Sequence, residues 1–398
     1  MVDEAQSLVT VTPEEFRTER NIDARILHEV TALDLAKRQV FVHRLADKQE
    51  WWEPFDRLMI ATGAVPIKPD VPGVDARGIY GVNNLQSGIE VRRAVDGQKA
   101  KRAVIIGGGY IGLEMAEALV RRGMGVSLVE RASQVMLTLD PDMGALVSEA
   151  LMAVGVKLYR EESLQGFEVD KGEVQAVVTD KRSLPADIVI MGMGVRPNAA
   201  LAAQGGITVG ERGAIVVNER MQTGVEGVWA AGDCVQSFHL ISRRPMHIAL
   251  ATVANKQGRV AGINIGGGTA VFPGVVGTAI SKICDVEVAR TGLQEREIQQ
   301  LGWGYVAQKI EGMTRPGYYP GSGKITVKVL AEKGSGRLLG GQIVGEEGSG
   351  KRIDILATAL HAGFTVQEMI NLDLSYAPPY SPVWDPVLIA VRELAKLV

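Results

Sequence analysis

Apolar residues fall along this chain in three textures, and each predicts a different element. Continuous apolar runs of four, Ala103-Val104-Ile105-Ile106 and Ile188 to Met191, read as strands buried on both faces. Alternating runs read as half-buried strands: Arg25 to Ala32 and Arg38 to Arg44 form a predicted pair, with Val40 and Val42 on one face and Phe41 on the other. Asp56 to Ala61 is a further strand that runs into the turn Ala61-Thr62-Gly63-Ala64. Helical spacing predicts helices over Leu113 to Arg122, Ile248 to Asn264, Arg352 to His361, Val366 to Asn371 and Pro386 to Leu397. Thr12-Pro13-Glu14-Glu15 marks a helix start, with Thr12 and Glu15 as a capping box and Pro13 in the first turn.

Turn residues divide these elements. Pro66 to Gly73 holds three prolines, so the chain is expected to leave one domain there. Val156 to Val178 reads as strands and a hairpin, and Gly194-Val195-Arg196-Pro197-Asn198 as a loop. Gly213 to Ala231 contains two short predicted strands that end at Gly232-Asp233. From about Phe272 longer β-rich stretches take over, among them Lys324 to Leu330 and Leu338 to Val344.

A length of 398 residues fits two or three domains, and 46% hydrophobic residues suffice for ordinary cores. A formal net charge of −3 gives no reason to expect nucleic acid or an anionic membrane as partner. No apolar run approaches the ~20 residues of a membrane span, and Met1-Val2-Asp3-Glu4 does not read as a signal peptide. The two cysteines, Cys234 and Cys284, lack zinc spacing, and the five histidines are scattered, so no metal site is expected. A reducing, cytoplasmic compartment fits this usage.

The chemistry concentrates between Ala103 and Glu130. The apolar strand feeds Gly107-Gly108-Gly109-Tyr110-Ile111-Gly112. Gly107 permits the tight turn, Gly109 lets a pyrophosphate approach the backbone at the helix N-terminus, and Gly112 lets the helix pack close to the sheet. Gly123 ends the helix, and a second strand, Val126 to Val129, delivers Glu130 near the offset expected for an acid that binds the adenosine ribose. The arrangement predicts a nicotinamide dinucleotide site. Glu130 favours NADH, while the adjacent Arg131 leaves NADPH open. Glu114 has two readings: dipole compensation in the first helical turn, or a group that orients the nicotinamide. Tyr110 is either packing or part of the site.

Taken in order, the motifs resemble those of the flavin-dependent pyridine nucleotide-disulfide oxidoreductases, in particular the coenzyme A-disulfide reductase and NADH oxidase/peroxidase branch. The resemblance rests on Thr12 to Phe16, Leu58 to Ala64, Gly107 to Glu114, Gly194 to Asn198, Trp229 to Asp233, Ala254 to Arg259 and Tyr376-Ala377-Pro378-Pro379-Tyr380. It implies an α/β fold with two Rossmann-like three-layer domains and a C-terminal α+β dimerisation domain. Residues 1–97 map to the first part of the FAD-binding domain, 98–213 to the NAD(P)H-binding domain, 214–268 to the second part of the FAD-binding domain and 269–398 to the dimerisation domain of a homodimer.

The same resemblance assigns roles. Ala61, Thr62, Gly63, Gly232 and Asp233 would meet FAD. Gly107, Gly109, Tyr110, Ile111, Gly112, Glu114, Glu130 and Gly194 would meet the nicotinamide nucleotide, with Tyr110 as a gate. It implies hydride transfer from NADH through FAD to a cysteine-based centre, and on to a small disulfide such as coenzyme A disulfide, a persulfide or a peroxide. Tyr380, then Tyr376 and Tyr319, are the candidates to donate a proton to a leaving thiolate across the dimer. Aromatic packing at the interface is the other reading. Lys256 and Arg259 read as a solvated helix face or as contacts for coenzyme A phosphates. Cys234 and Cys284 read as structural.

The sequence departs from the family at its start. Before Gly107 it has no glycine fingerprint, and before Cys234 no cysteine. The first flavin domain is therefore expected to be truncated, by at least one βαβ unit of ~30 residues. The 398-residue chain as written is expected to purify without FAD and to lack disulfide reductase activity. A yellow preparation that turns over NADH with coenzyme A disulfide would contradict this. An NADH oxidase/peroxidase and a non-enzymatic NADH-binding remnant are the alternatives.

Overall fold

The computed structural model describes residues 5–97, 101–210 and 212–398. The readings placed on Met1 to Glu4, and the expected domain boundary where it runs into residues 98–100, lie outside them. At the centre is a five-stranded parallel sheet in the spatial order Ile79–Gly81, Ile188–Met191, Arg102–Ile106, Gly125–Glu130, Lys157–Arg160. Both faces are covered, which is why its strands read as unbroken apolar runs. Ala103 and Ile105 face one layer, where they meet Leu113, Ala116 and Leu119 of the helix Tyr110–Arg121 and Met143, Val147 and Leu151 of the helix Pro141–Ala153. Val104 and Ile106 face the other layer, a three-stranded antiparallel sheet that contributes Phe167, Val174 and Val177.

Two smaller sheets lie before it or around it in the chain. His28–Asp34, Gln39–Arg44 and Gln49–Pro54 form an antiparallel meander, and Leu58–Ile60 pairs in parallel with Val228–Ala230. The C-terminal region is a five-stranded antiparallel sheet in the order Ala279–Ile283, Val286–Gly292, Leu338–Gly345, Lys324–Glu332, Tyr305–Met313. The helices Ile353–Ala362, Val366–Ile370 and Pro386–Leu394 pack with this sheet in one core. Among the described residues no helix is long and apolar enough to cross a membrane.

Several local expectations hold and others need correction. The capping box of Thr12 and Glu15 is present, with Pro13 opening the helix Pro13–Arg20. The first meander strand begins at His28 rather than Arg25, because Leu27 takes a left-handed φ of 57° that breaks the extended run. Val195–Pro197, expected as loop, is a short strand paired antiparallel with Ala64–Pro66. In Gly213 to Ala231 one of the two expected strands is reduced to isolated bridges at Ile215. The fingerprint helix starts at Tyr110, so Glu114 is its fifth residue. It lies beyond the first turn, where the macrodipole is felt most, and the dipole reading of Glu114 is withdrawn.

Candidate functional site

The nucleotide turn is built by backbone crowding that admits only glycine at key positions. Gly107 has φ of 101°, and a Cβ on it would lie 2.4 Å from the carbonyl oxygen of Gly192. A Cβ on Gly112 would lie 2.0 Å from the carbonyl oxygen of Gly107. The turn, the helix and the end of the neighbouring strand therefore close on each other through Gly107, Gly112 and Gly192. Gly192 was not picked out from the sequence, although it directly follows an apolar strand.

Gly109 differs from these. It is the N-cap of the helix with extended backbone (φ −85°, ψ −177°), and nothing lies within 4 Å of a Cβ built there. The first intrahelical bond runs from the Leu113 N–H to the Gly109 carbonyl at 3.0 Å. The amides of Tyr110, Ile111 and Gly112 at the head of this 12-residue helix are thus the ones a helix leaves for an anion. The Glu130 carboxylate braces the turn: it accepts from the Gly108 N–H at 2.7 Å and from the Ala132 N–H at 2.7 Å.

Around this turn two side chains sit differently from the simplest reading. The Tyr110 hydroxyl accepts from Thr138 Oγ1 at 3.3 Å, and burial pushes its phenol above the ordinary range. Glu114 accepts from the Ser281 hydroxyl, and Glu117 from the Cys284 N–H at 2.8 Å, so this helix also holds the C-terminal sheet.

Ala61-Thr62-Gly63 and Gly232-Asp233 follow the carboxyl ends of the paired strands Leu58–Ile60 and Val228–Ala230, where open α/β sheets bind ligands. Gly63 (φ 68°) has open space at its Cβ position, and Gly232 (φ 88°) meets only the Ala254 Cβ at 3.7 Å. The fully buried Gln257 fixes the second loop, accepting from the Gly232 N–H at 3.0 Å and donating to Ser237 Oγ at 2.9 Å. His247 Nε2 lies 2.7 Å from the Asp233 carbonyl oxygen. A carboxylate beside glycines with free approach suits the hydroxyl and phosphate groups of a flavin nucleotide. Asn198 ties this region to the nucleotide unit, donating from its amide to the Thr62 carbonyl at 3.2 Å and from its backbone to the Gly63 carbonyl at 2.9 Å. Gly194 (φ 91°) adds a second tie by accepting from the Ile67 N–H at 3.0 Å.

Neither cysteine is placed as a nucleophile. Both are buried, and burial pushes both thiols above their ordinary range. A reactive thiol needs the opposite shift.

The candidate tyrosines stand on the C-terminal region. Tyr380 is 76% and Tyr376 48% exposed, and Tyr319 is half-buried. The neighbour of Tyr376 is Tyr318, whose phenol is pushed up by desolvation and by the Tyr376 hydroxyl. Val383 and Trp384, a few residues further on, are exposed as well.

Comparison with known proteins identifies the family. Residues 2–258 match the family model for pyridine nucleotide-disulphide oxidoreductase, and residues 278–386 match its dimerisation domain. An NAD(P)H coenzyme A polysulfide/persulfide reductase of Pyrococcus horikoshii is 39% identical over 388 residues, covering 97% of this chain and 86% of the relative. An NADH oxidase of Methanocaldococcus jannaschii is 36% identical, covering 98% of this chain and 86% of the relative. The crystal structure of reduced Bacillus anthracis CoADR-RHD superimposes with a TM-score of 0.96 at 34% identity, covering 100% of this chain and 71% of that one. The chain belongs to the pyridine nucleotide-disulphide oxidoreductases, a family of FAD- and NAD(P)H-dependent enzymes, and carries their dimerisation domain.

Proposed function

We propose that this chain serves an NAD(P)H-dependent reductase of sulfur carried on coenzyme A, as a disulfide or persulfide. The observation that carries this reading is a cleft of about 480 Å³ beside the helix Ala251–Ile265. Lys256 and Arg259, one helical turn apart, and His361 from the C-terminal region line it together with Phe272 and Val276. Cations over an apolar floor suit a ligand with several phosphates and a long uncharged arm.

In this reading the helix N-terminus at Gly109 holds the nicotinamide nucleotide's pyrophosphate and Glu130 its adenosine ribose. Gly232, Asp233 and Ala61 to Gly63 are the residues that would hold FAD, which when bound would relay electrons between nucleotide and sulfur; the chain as written is still expected to lack FAD and disulfide reductase activity. Tyr376, with Tyr318 beside it, and Tyr380 face a second copy across a homodimer interface and donate a proton to the departing thiolate. The assembly works in the cytoplasm, where free thiols persist.

The cleft is tested by titrating coenzyme A into the protein. A Lys256→Ala/Arg259→Ala double variant is expected to weaken coenzyme A binding about tenfold or more, since each charge-assisted bond to phosphate is worth ~1.5–3 kcal/mol. NADH affinity should stay within about twofold, the sites being separate. Unchanged coenzyme A affinity would remove the basis for this substrate class.

A further inference from the structure

A buried lysine in the C-terminal sheet is connected, contact by contact, to the nucleotide turn. Lys328 is 5% exposed. Its ammonium lies 2.8 Å from Asp142, 2.9 Å from Glu295 and 3.2 Å from Asp140. Desolvation opposes its charge, but the carboxylates outweigh it and hold the ammonium above its ordinary range. Asp140 is itself 1% exposed and has every group engaged. Its N–H donates to Gln342 Oε1 at 2.8 Å, and its carboxylate accepts from Gln342 Nε2 at 2.7 Å and from the Glu295 N–H at 2.9 Å. Lys328, Gln342 and Glu295 all belong to the C-terminal region. Asp140 stands at the N-cap position of the helix Pro141–Ala153 of the nucleotide unit, its carbonyl accepting from the Gly144 N–H at 2.9 Å.

From Asp140 the chain runs back along a loop, buried at Gln134 to Met136 and at Leu139, that supports the turn. The Met136 N–H donates to the Gly108 carbonyl at 2.7 Å, and Val135 lies under Gly108 so closely that a Cβ there would come within 2.7 Å of its side chain. Thr138 holds the Tyr110 hydroxyl. Met136 has φ of 52°, a strained conformation that the surrounding contacts must maintain. One end of this loop thus touches the glycine turn and Tyr110, and the other is anchored in a different region of the protein.

We propose that Lys328 is a positioning residue for the nicotinamide half of the nucleotide: through Asp140 and the 131–140 loop, the C-terminal region sets the pose of Tyr110 and the Gly107–Gly109 turn. This rests on the assignment of the nucleotide site above. Linkage requires the reverse effect too, so nucleotide binding tightens the contact between the two regions.

The test compares two probes on one protein. NADH spans the whole site, whereas adenosine, which carries no phosphate, reaches only the Glu130 end. Lys328→Met is expected to raise the Kd for NADH about tenfold, in the range of long-range couplings, and to leave that for adenosine within about twofold. Thr138→Val, which keeps shape and removes only the hydroxyl, is expected to raise the NADH Kd about threefold with an unchanged melting temperature. A folded Lys328→Met protein with wild-type NADH affinity, or with equal losses for NADH and adenosine, overturns the proposal, the second result marking a general stabiliser. Where Lys328→Met does not fold, Thr138→Val decides, and wild-type affinity overturns. Failure of the site assignment is a separate result, read from Gly109→Asp.

Discussion

Gly109→Asp is expected to abolish NADH binding while leaving the protein as stable as before or slightly more so. The two effects separate because of where Gly109 stands. It is an N-cap with extended backbone and open space at its Cβ position, so aspartate fits without strain. Aspartate is among the preferred N-cap residues, and exchanging it for glycine changes stability by about a few tenths of a kcal/mol. The new carboxylate would accept from the helix amides that the pyrophosphate needs and would repel the phosphates as well. A loss of about a hundredfold or more in affinity follows, corresponding to ~2.7 kcal/mol at ~1.4 kcal/mol per tenfold. Isothermal titration with NADH, alongside a thermal melt, measures both. Unchanged affinity would mean that the dinucleotide site has been misplaced.

The second large effect is expected at Arg352. Its guanidinium is buried and bonds Asp385 at 2.8 Å, the Thr314 carbonyl at 2.8 Å and the Tyr380 carbonyl at 2.9 Å, and also meets the Gly348 carbonyl. Asp385 in turn caps the helix Pro386–Leu394 through the Val387 N–H at 2.9 Å and accepts from Ser381 at 3.1 Å. One arginine therefore joins three loops to the start of the last helix. Arg352→Met leaves the Asp385 charge buried without its partner and three carbonyls without a donor. The expected destabilisation is about 3–5 kcal/mol. The loop that presents Tyr376 and Tyr380 loosens with it. Urea denaturation followed by circular dichroism measures the loss, and Arg352→Met/Asp385→Asn should recover part of it. A loss below about 1 kcal/mol would place the pair among the ordinary surface bridges.

How far the sequence could be read followed from how local each feature is. The strand Ile188–Met191 and the βαβ unit around Gly107 were legible because run length, glycine spacing and caps all lie within a short window. The helix Pro141–Ala153 was passed over although Asp140-Pro141 marks its start and Met143, Val147 and Leu151 repeat at helical spacing. It is apolar on most of its surface, which weakens the amphipathic contrast that reveals a helix. Glu114 was misplaced by one turn because the helix begins within the glycine motif rather than after it. Tyr318 and Tyr319 are neighbours in sequence, and only the fold decides which one meets Tyr376. The partners of Lys328 were beyond reach: Asp142 lies 186 residues away along the chain, and a lone lysine in a strand carries no local sign of burial.

The core beneath the parallel sheet also bears on how such a protein changes over generations. Ile283, Cys284, Val288 and Val344 of the C-terminal sheet lie in the same apolar cluster as Leu113, Met143 and Val147. The piece of chain that binds the nucleotide does not own its whole interior. A recombination between relatives that exchanged only the nucleotide segment would join two halves of a core shaped in different lineages. Inheritance is safer when the strand and turn around Cys284 travel with it, so the unit on which selection acts is larger than the unit that binds.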